Sequence, residues 1–183
     1  MIKLISSKEL LKTKIFTVTE DQAYDPEGFE ITRAIIQHPG SAVIMPVDEK
    51  GRVLLVSQYR LPARKNLWEL SAGRIDPGET PLKAAKRELI EETGFRAKKW
   101  TKLASYWASP GFLAEKMNLF LAEDLTAGQQ HPMEDERIEM RWFTNKELGE
   151  LVDAGKIEDG KTLIGYTLWL RKKRNIASKA RAR

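Results

Sequence analysis

Apolar positions along this chain fall mostly into short runs or strict alternation, and only three segments carry helical spacing. Residues 14–24, "KIFTVTEDQAY", and 29–37, "FEITRAIIQ", are rich in β-branched and aromatic side chains and flank the turn sequence "DPEG". They predict a β-hairpin. "SAVIMPV" and "RVLLVSQYR" are continuous apolar runs of the buried kind, and they predict a second strand pair around "DEKG". "LWELSAG" reads as one further short strand, and "WTKLASYWAS" and "KMNLFLAEDL" as two more around a "PGF" turn. In "IEMRWF", Ile138, Met140 and Trp142 alternate as on a half-buried strand.

Helical spacing covers Pro81 to Thr93, with Thr80 as N-cap, proline in the first turn and Gly94 as the C-terminal stop. A second helix, residues 145–155, follows a capping box formed by Thr144 and Glu147. A third runs from about Lys161 to Arg174, with Leu163, Ile164, Leu168 and Trp169 near helical spacing. Strands outnumber helices and most are joined by tight turns. The fold class expected is α/β (α+β), a sandwich around a mixed sheet.

Length and charge narrow the picture. At 183 residues the chain is long enough for one domain with a sizeable core. No apolar run reaches membrane-spanning length, and "MIKLISSKELLK" lacks the apolar stretch of a secretory signal. Cysteine is absent and only His38 and His131 occur, which excludes disulfides and thiolate metal sites. A cytoplasmic chain without a membrane partner is expected. The net charge of +5 resides in residues 171–183, which hold seven basic side chains and no acidic one. The rest carries 24 basic against 26 acidic residues, so no basic nucleic-acid-binding face is expected. The terminal stretch reads as a solvated tail.

Two motifs carry candidate chemistry. "GKIEDGKT", Gly155 to Thr162, matches a phosphate-binding loop pattern, but a helix precedes it where such a loop needs a buried strand, so it reads as a connection between helices. The second motif raises a question of charge. Glu88, Glu91 and Glu92 share one stripe of the 81–93 helix, where like charges repel by roughly 0.2–0.5 kcal/mol per pair. Hard divalent cations favour carboxylate oxygens, and a bound cation would offset that repulsion. Arg87 is placed to pair with Glu79 and fix loop to helix.

Extended, the stretch is "GRIDPGETPLKAAKRELIEETGF", with Gly73, Glu79, Arg87, Glu88, Leu89, Glu91, Glu92, Gly94 and Phe95 at the fixed positions of a G-x5-E-x7-R-E-U-x-E-E-x-G-U pattern. This resembles the Nudix box of the Nudix hydrolases. "HPGSAV", "QYR", "WELSAG" and "ASPGF", together with a proline sixteen residues beyond Gly94 (Pro110), resemble the ADP-ribose pyrophosphatase branch.

The resemblance implies a Nudix-type α/β/α sandwich over residues 41–174. Residues 1–40 would be a small β-segment, a dimerisation element that helps build the partner's adenine pocket, and 175–183 the tail. It implies Mg2+-dependent hydrolysis of a nucleoside diphosphate sugar, with ADP-ribose giving AMP and ribose 5-phosphate. Mn2+ is the alternative metal, GDP-mannose or another nucleotide sugar the alternative substrate, and a silent nucleotide-binding module the alternative class. Metal ligands implied are Glu88, Glu92, the carbonyl of Ala72, and Glu136. Catalytic roles fall on Glu134 as base, with Glu91 and Arg87, and substrate contacts on Arg60, Glu69, Arg74 and Pro110. Trp68, Tyr106 and Trp107 are candidates for stacking on adenine, with a place in the core as the alternative. A homodimer is expected.

Overall fold

Strand β4 (Ser41–Pro46) is buried along its whole length, and its two faces serve different layers. The structure, a computed structural model, describes residues 1–128 and 138–181. Ala42 and Ile44 of β4 face helix α1 (Pro81–Thr93), meeting Ala84, Ala85 and Leu89 together with Phe120 and Ala122. Val43 and Met45 point the other way, into a core with Val53, Leu55, Leu119, Leu121, Phe143, Leu148 and Trp169. The alternation is the period of two of a strand in the middle of a sandwich.

The preceding strands are β1 (Lys3–Lys12), β2 (Thr17–Tyr24) and β3 (Glu30–Gln37); β5 (Val53–Arg60), β6 (Lys65–Glu69) and β7 (Ser71–Arg74) lie between β4 and α1. After α1 come β8 (Phe95–Ser109), β9 (Leu113–Ala127), β10 (Glu139–Phe143), α2 (Asn145–Asp153) and α3 (Gly160–Arg181). The large mixed sheet has the order β1-β2-β3-β9-β4-β7, with β8 also on β9; a second sheet has the order β10-β5-β6. α1 covers one face of the large sheet, and the small sheet with α2 and α3 covers the other. The α/β/α sandwich around a mixed sheet is therefore as expected. Leu89, fully buried beneath α1, fastens that helix; its truncation to Ala should cost about 2–5 kcal/mol.

The β2–β3 hairpin forms as predicted. The Asp25 carboxylate accepts from the amides of Glu27 and Phe29, both at 2.8 Å, and Gly28 takes φ 86°. Four local expectations need correction. First, β4 and β5 turn through "DEKG" but share a single bridge, Val47 to Val53, and then part into different sheets. Second, "LWELSAG" is two strands broken at Leu70: β6 pairs with β5, and β7 pairs with β4. Third, the buried residue of β10 is Phe143, not the alternating Met140, which is exposed. Phe143 stacks edge-on with Trp68 at 5.1 Å, so Trp68 is a core residue. Fourth, α3 continues as helix to Arg181, through most of the stretch read as a tail.

Strand β1 was not foreseen. It pairs antiparallel with β2, with register irregularities between Leu4 and Ser6 and between Glu9 and Leu11, and every one of its residues is exposed. β3 joins this antiparallel sheet to the body by parallel pairing of Ile36 and Gln37 with Leu113 and Ala114 of β9.

Candidate active site

The α1 carboxylates are organised by one guanidinium. Thr80 caps the helix, its hydroxyl accepting from the Lys83 amide at 3.3 Å, and Gly94 ends it at φ 72°. Arg87 donates to Glu79 from Nε at 3.2 Å and Nη2 at 3.0 Å, the loop-to-helix pair expected from sequence. The same side chain donates to Glu88 at 2.5 Å, to Glu91 at 3.0 Å and to the Arg74 carbonyl at 2.9 Å. Asp76 lies 3.7 Å away. Hydrogen bonds to Glu79 first, and to Glu88 and Glu91 after it, raise the guanidinium pKa and hold it charged.

Gly73 explains its own place in the motif. A Cβ built there would sit 1.9 Å from the Glu88 carboxyl carbon, so that carboxylate rests against bare β7 backbone. One turn further on, Glu92 is 2% exposed. Glu88 is thus seated on the strand residue that follows Ala72, and Glu92 lies one turn along the same helix. Among the described residues no three acidic or histidine side chains are placed to hold a metal ion by themselves. The candidate ligands among the described residues are all oxygens, two carboxylates and a backbone carbonyl. That set fits a hard divalent cation that keeps several waters.

A second cluster lies where β5, β6 and α3 meet. Glu69, 2% exposed, accepts from Arg60 through both oxygens, Nε at 2.7 Å and Nη2 at 2.9 Å. Lys161 pairs with the same carboxylate and with Asp159, the latter at 2.9 Å. Burial pushes the Glu69 carboxyl up, but the bonds from Arg60 and the charge of Lys161 outweigh it and hold the group below its ordinary range. The two substrate-binding candidates Arg60 and Glu69 are thus bonded to each other. Sequence reasoning missed Lys161 and Asp159, because they lie in the motif set aside as a connection. Their only signal was a lysine and an aspartate at the start of a helix.

The remaining candidates are dispersed. Arg74 turns toward the N-terminal segment and donates to the Lys14 carbonyl at 2.6 Å. Pro110 stands on the β8–β9 turn and borders a cavity of about 350 Å³ with Arg33, Ile35, exposed Trp107 and Phe112. Burial pushes the Tyr106 hydroxyl up to about 12. Glu134 and Glu136 lie outside the described residues.

Residues 37–164 match the NUDIX domain, a span that includes the box and both clusters. This chain belongs to the Nudix family. Its relatives agree over most of their length. The ADP-ribose pyrophosphatase of Bacillus subtilis (strain 168) is 34% identical over 162 residues, covering 87% of this chain and 88% of that protein. The ADP-ribose pyrophosphatase of Mycobacterium tuberculosis is 35% identical over 164 residues, covering 88% of this chain and 79% of that protein. The methanol dehydrogenase activator of Bacillus methanolicus is 30% identical over 164 residues, covering 88% and 89%. Among solved structures, an ADP compounds hydrolase superposes with a TM-score of 0.80 at 22% identity, over 94% of this chain and 95% of that one. In this Nudix hydrolase the Arg87 cluster is the box itself, folded as a loop, a glycine seat and one face of a helix.

Proposed function

We propose that this Nudix hydrolase cleaves the pyrophosphate of nucleoside diphosphate sugars, with ADP-ribose yielding AMP and ribose 5-phosphate, in a reaction that requires Mg2+. The observation that carries the reading is the seam between α1 and β7, where Glu88 is seated on Gly73 beside buried Glu92. Relatives named ADP-ribose pyrophosphatase support the choice of substrate. Glu88, Glu92 and the Ala72 carbonyl would hold the metal, with Glu136 as a further ligand. Metal bound there supplies charge neutralisation at the phosphates and a more acidic water. Arg60 donates to a phosphate oxygen, and Glu134 takes the proton of the attacking water, with Glu91 the alternative base. Arg87 holds the carboxylates in register.

The same reading includes a homodimer. β1 leaves Leu4, Leu10 and Leu11 exposed, with none of the described residues covering them. Deleting residues 1–40 should shift the sedimenting mass toward monomer and raise KM.

Hydrolysis of a dozen nucleotide sugars, with Mg2+, Mn2+ or chelator and with AMP release as readout, tests the assignment. ADP-ribose should rank first and chelator should abolish turnover. A leading rate on GDP-mannose would move the substrate, and no turnover on any nucleotide sugar would overturn the reading. Glu134→Gln should lower kcat at nearly constant KM, whereas Glu136→Gln should raise the Mg2+ requirement.

A further inference from the structure

The "GKIEDGKT" stretch looks like a phosphate loop and does something else. Lys161 is 10% exposed and turns inward to Glu69 and Asp159, away from any open phosphate cradle. Thr162 also turns inward, its hydroxyl accepting from the Leu70 amide at 2.8 Å. Asp159 is itself pinned, accepting from the Thr162 amide at 2.9 Å and from its hydroxyl at 2.5 Å. Gly165 lets the helix come this close, since a Cβ there would meet the Leu70 side chain at 2.6 Å. The start of α3 is therefore docked on the break between β6 and β7.

Arg60 is the beneficiary. Glu69 holds its Nε and Nη2 edge, and among the described residues Nη1 has no hydrogen-bonded acceptor. Two other carboxylates, Glu92 and Asp159, act on the same guanidinium through their charge. Lys161 neutralises Asp159 and anchors Glu69, so the guanidinium stays on Glu69. We propose that Lys161 is a positioning residue for substrate binding. It keeps Asp159 from competing for Arg60, and so keeps the free edge of Arg60 available to the anionic diphosphate. This rests on the pyrophosphatase reading given above.

The test is a charge-competition series on the full-length protein, with kcat and KM measured for ADP-ribose. Lys161→Met should raise KM about tenfold while kcat changes less than about threefold, because the carboxylates of α1 are untouched. Adding Asp159→Asn removes the competitor, and the double variant should return KM to within about twofold of wild type. A purely structural lysine would give the opposite order, since the second change strips α3 of another contact. Thr162→Val, which loosens the same helix start without changing charge, should lower the melting temperature and leave KM alone. Should the methionine variant fail to fold, Lys161→Gln carries the same comparison. An unmoved KM in the single variant, or a double variant no better than the single, overturns the positioning role. A wild type inactive on every nucleotide sugar defeats the functional reading instead.

Discussion

Arg87 and Arg60 are both clamped by carboxylates, but they stand in opposite charge balances. Arg87 faces Glu79, Glu88 and Glu91 in direct contact and shares Asp76 with Arg74, so two guanidiniums serve four carboxylates. Around Arg60, two cations meet two carboxylates: Arg60 and Lys161 against Glu69 and Asp159. The first cluster carries surplus negative charge at the helix surface, which a bound divalent cation would relieve. The second is balanced in its direct ion pairs and mostly buried, and among the described residues it keeps one guanidinium edge without a bound carboxylate. A reaction at a pyrophosphate needs both: a place for metal, and a cation for phosphate that the metal site does not itself absorb.

The largest effect should come from the acidic side. Glu92→Gln preserves size and helix propensity, so the fold should stay, while turnover should fall at least about tenfold, which is 1.4 kcal/mol of barrier. Steady-state rates beside a thermal melt decide it, and a variant that keeps more than a tenth of its rate removes Glu92 from the metal site. Gly73→Ala should come next. The added methyl overlaps the Glu88 carboxylate, a flexible side-chain end that can swing away. The expected result is a loss of about threefold to tenfold in kcat with little change in melting temperature. A large drop in melting temperature would mean that Gly73 serves the fold alone.

Smaller effects should separate the clusters by ligand and by pH. Mg2+ should raise the melting temperature of the metal-free protein by mass action. Glu88→Gln without metal should be as stable as wild type or slightly more so, within about 0.5 kcal/mol, because Arg87 retains its other partners. A steep fall in melting temperature would instead make Glu88 a structural residue. The balanced cluster should respond to acid. The folded Glu69 carboxyl lies below its ordinary value of 4.5. Its contribution to stability is therefore complete above that value and lost as pH falls through the folded one. Melting temperatures of wild type and Glu69→Gln, followed downward from pH 6, should converge in that window. Parallel curves would show that the buried pair does not couple folding to protons.

The two clusters were unequally legible in the sequence. The box is local: Gly73 to Phe95 is one strand end, one loop and one helix, so spacing alone puts Glu88 and Glu92 on a shared face and Gly94 at the stop. Cap and proline signals fixed α1 to the residue. The second cluster joins Arg60, Glu69 and Lys161 from three elements, and only tertiary packing brings them together. The break at Leu70 was hidden for a related reason. A strand that leaves one sheet for another keeps the same apolar character on both sides of the switch, and its partners lie far away in sequence. β1 escaped because "LISSKELL" mixes apolar and charged positions without the burial that usually imposes strict alternation.

The junction at Leu70 also supplies a built-in reporter. Its amide proton is held by the Thr162 hydroxyl, a side chain of α3. Deuterium uptake at this one peptide group should therefore follow the lifting of α3 from the site, on a timescale separate from the opening of either sheet. A slow exchange that quickens in Thr162→Val, while neighbouring strand amides keep their rates, would identify Leu70 as the reporter of the contact between α3 and the strand break.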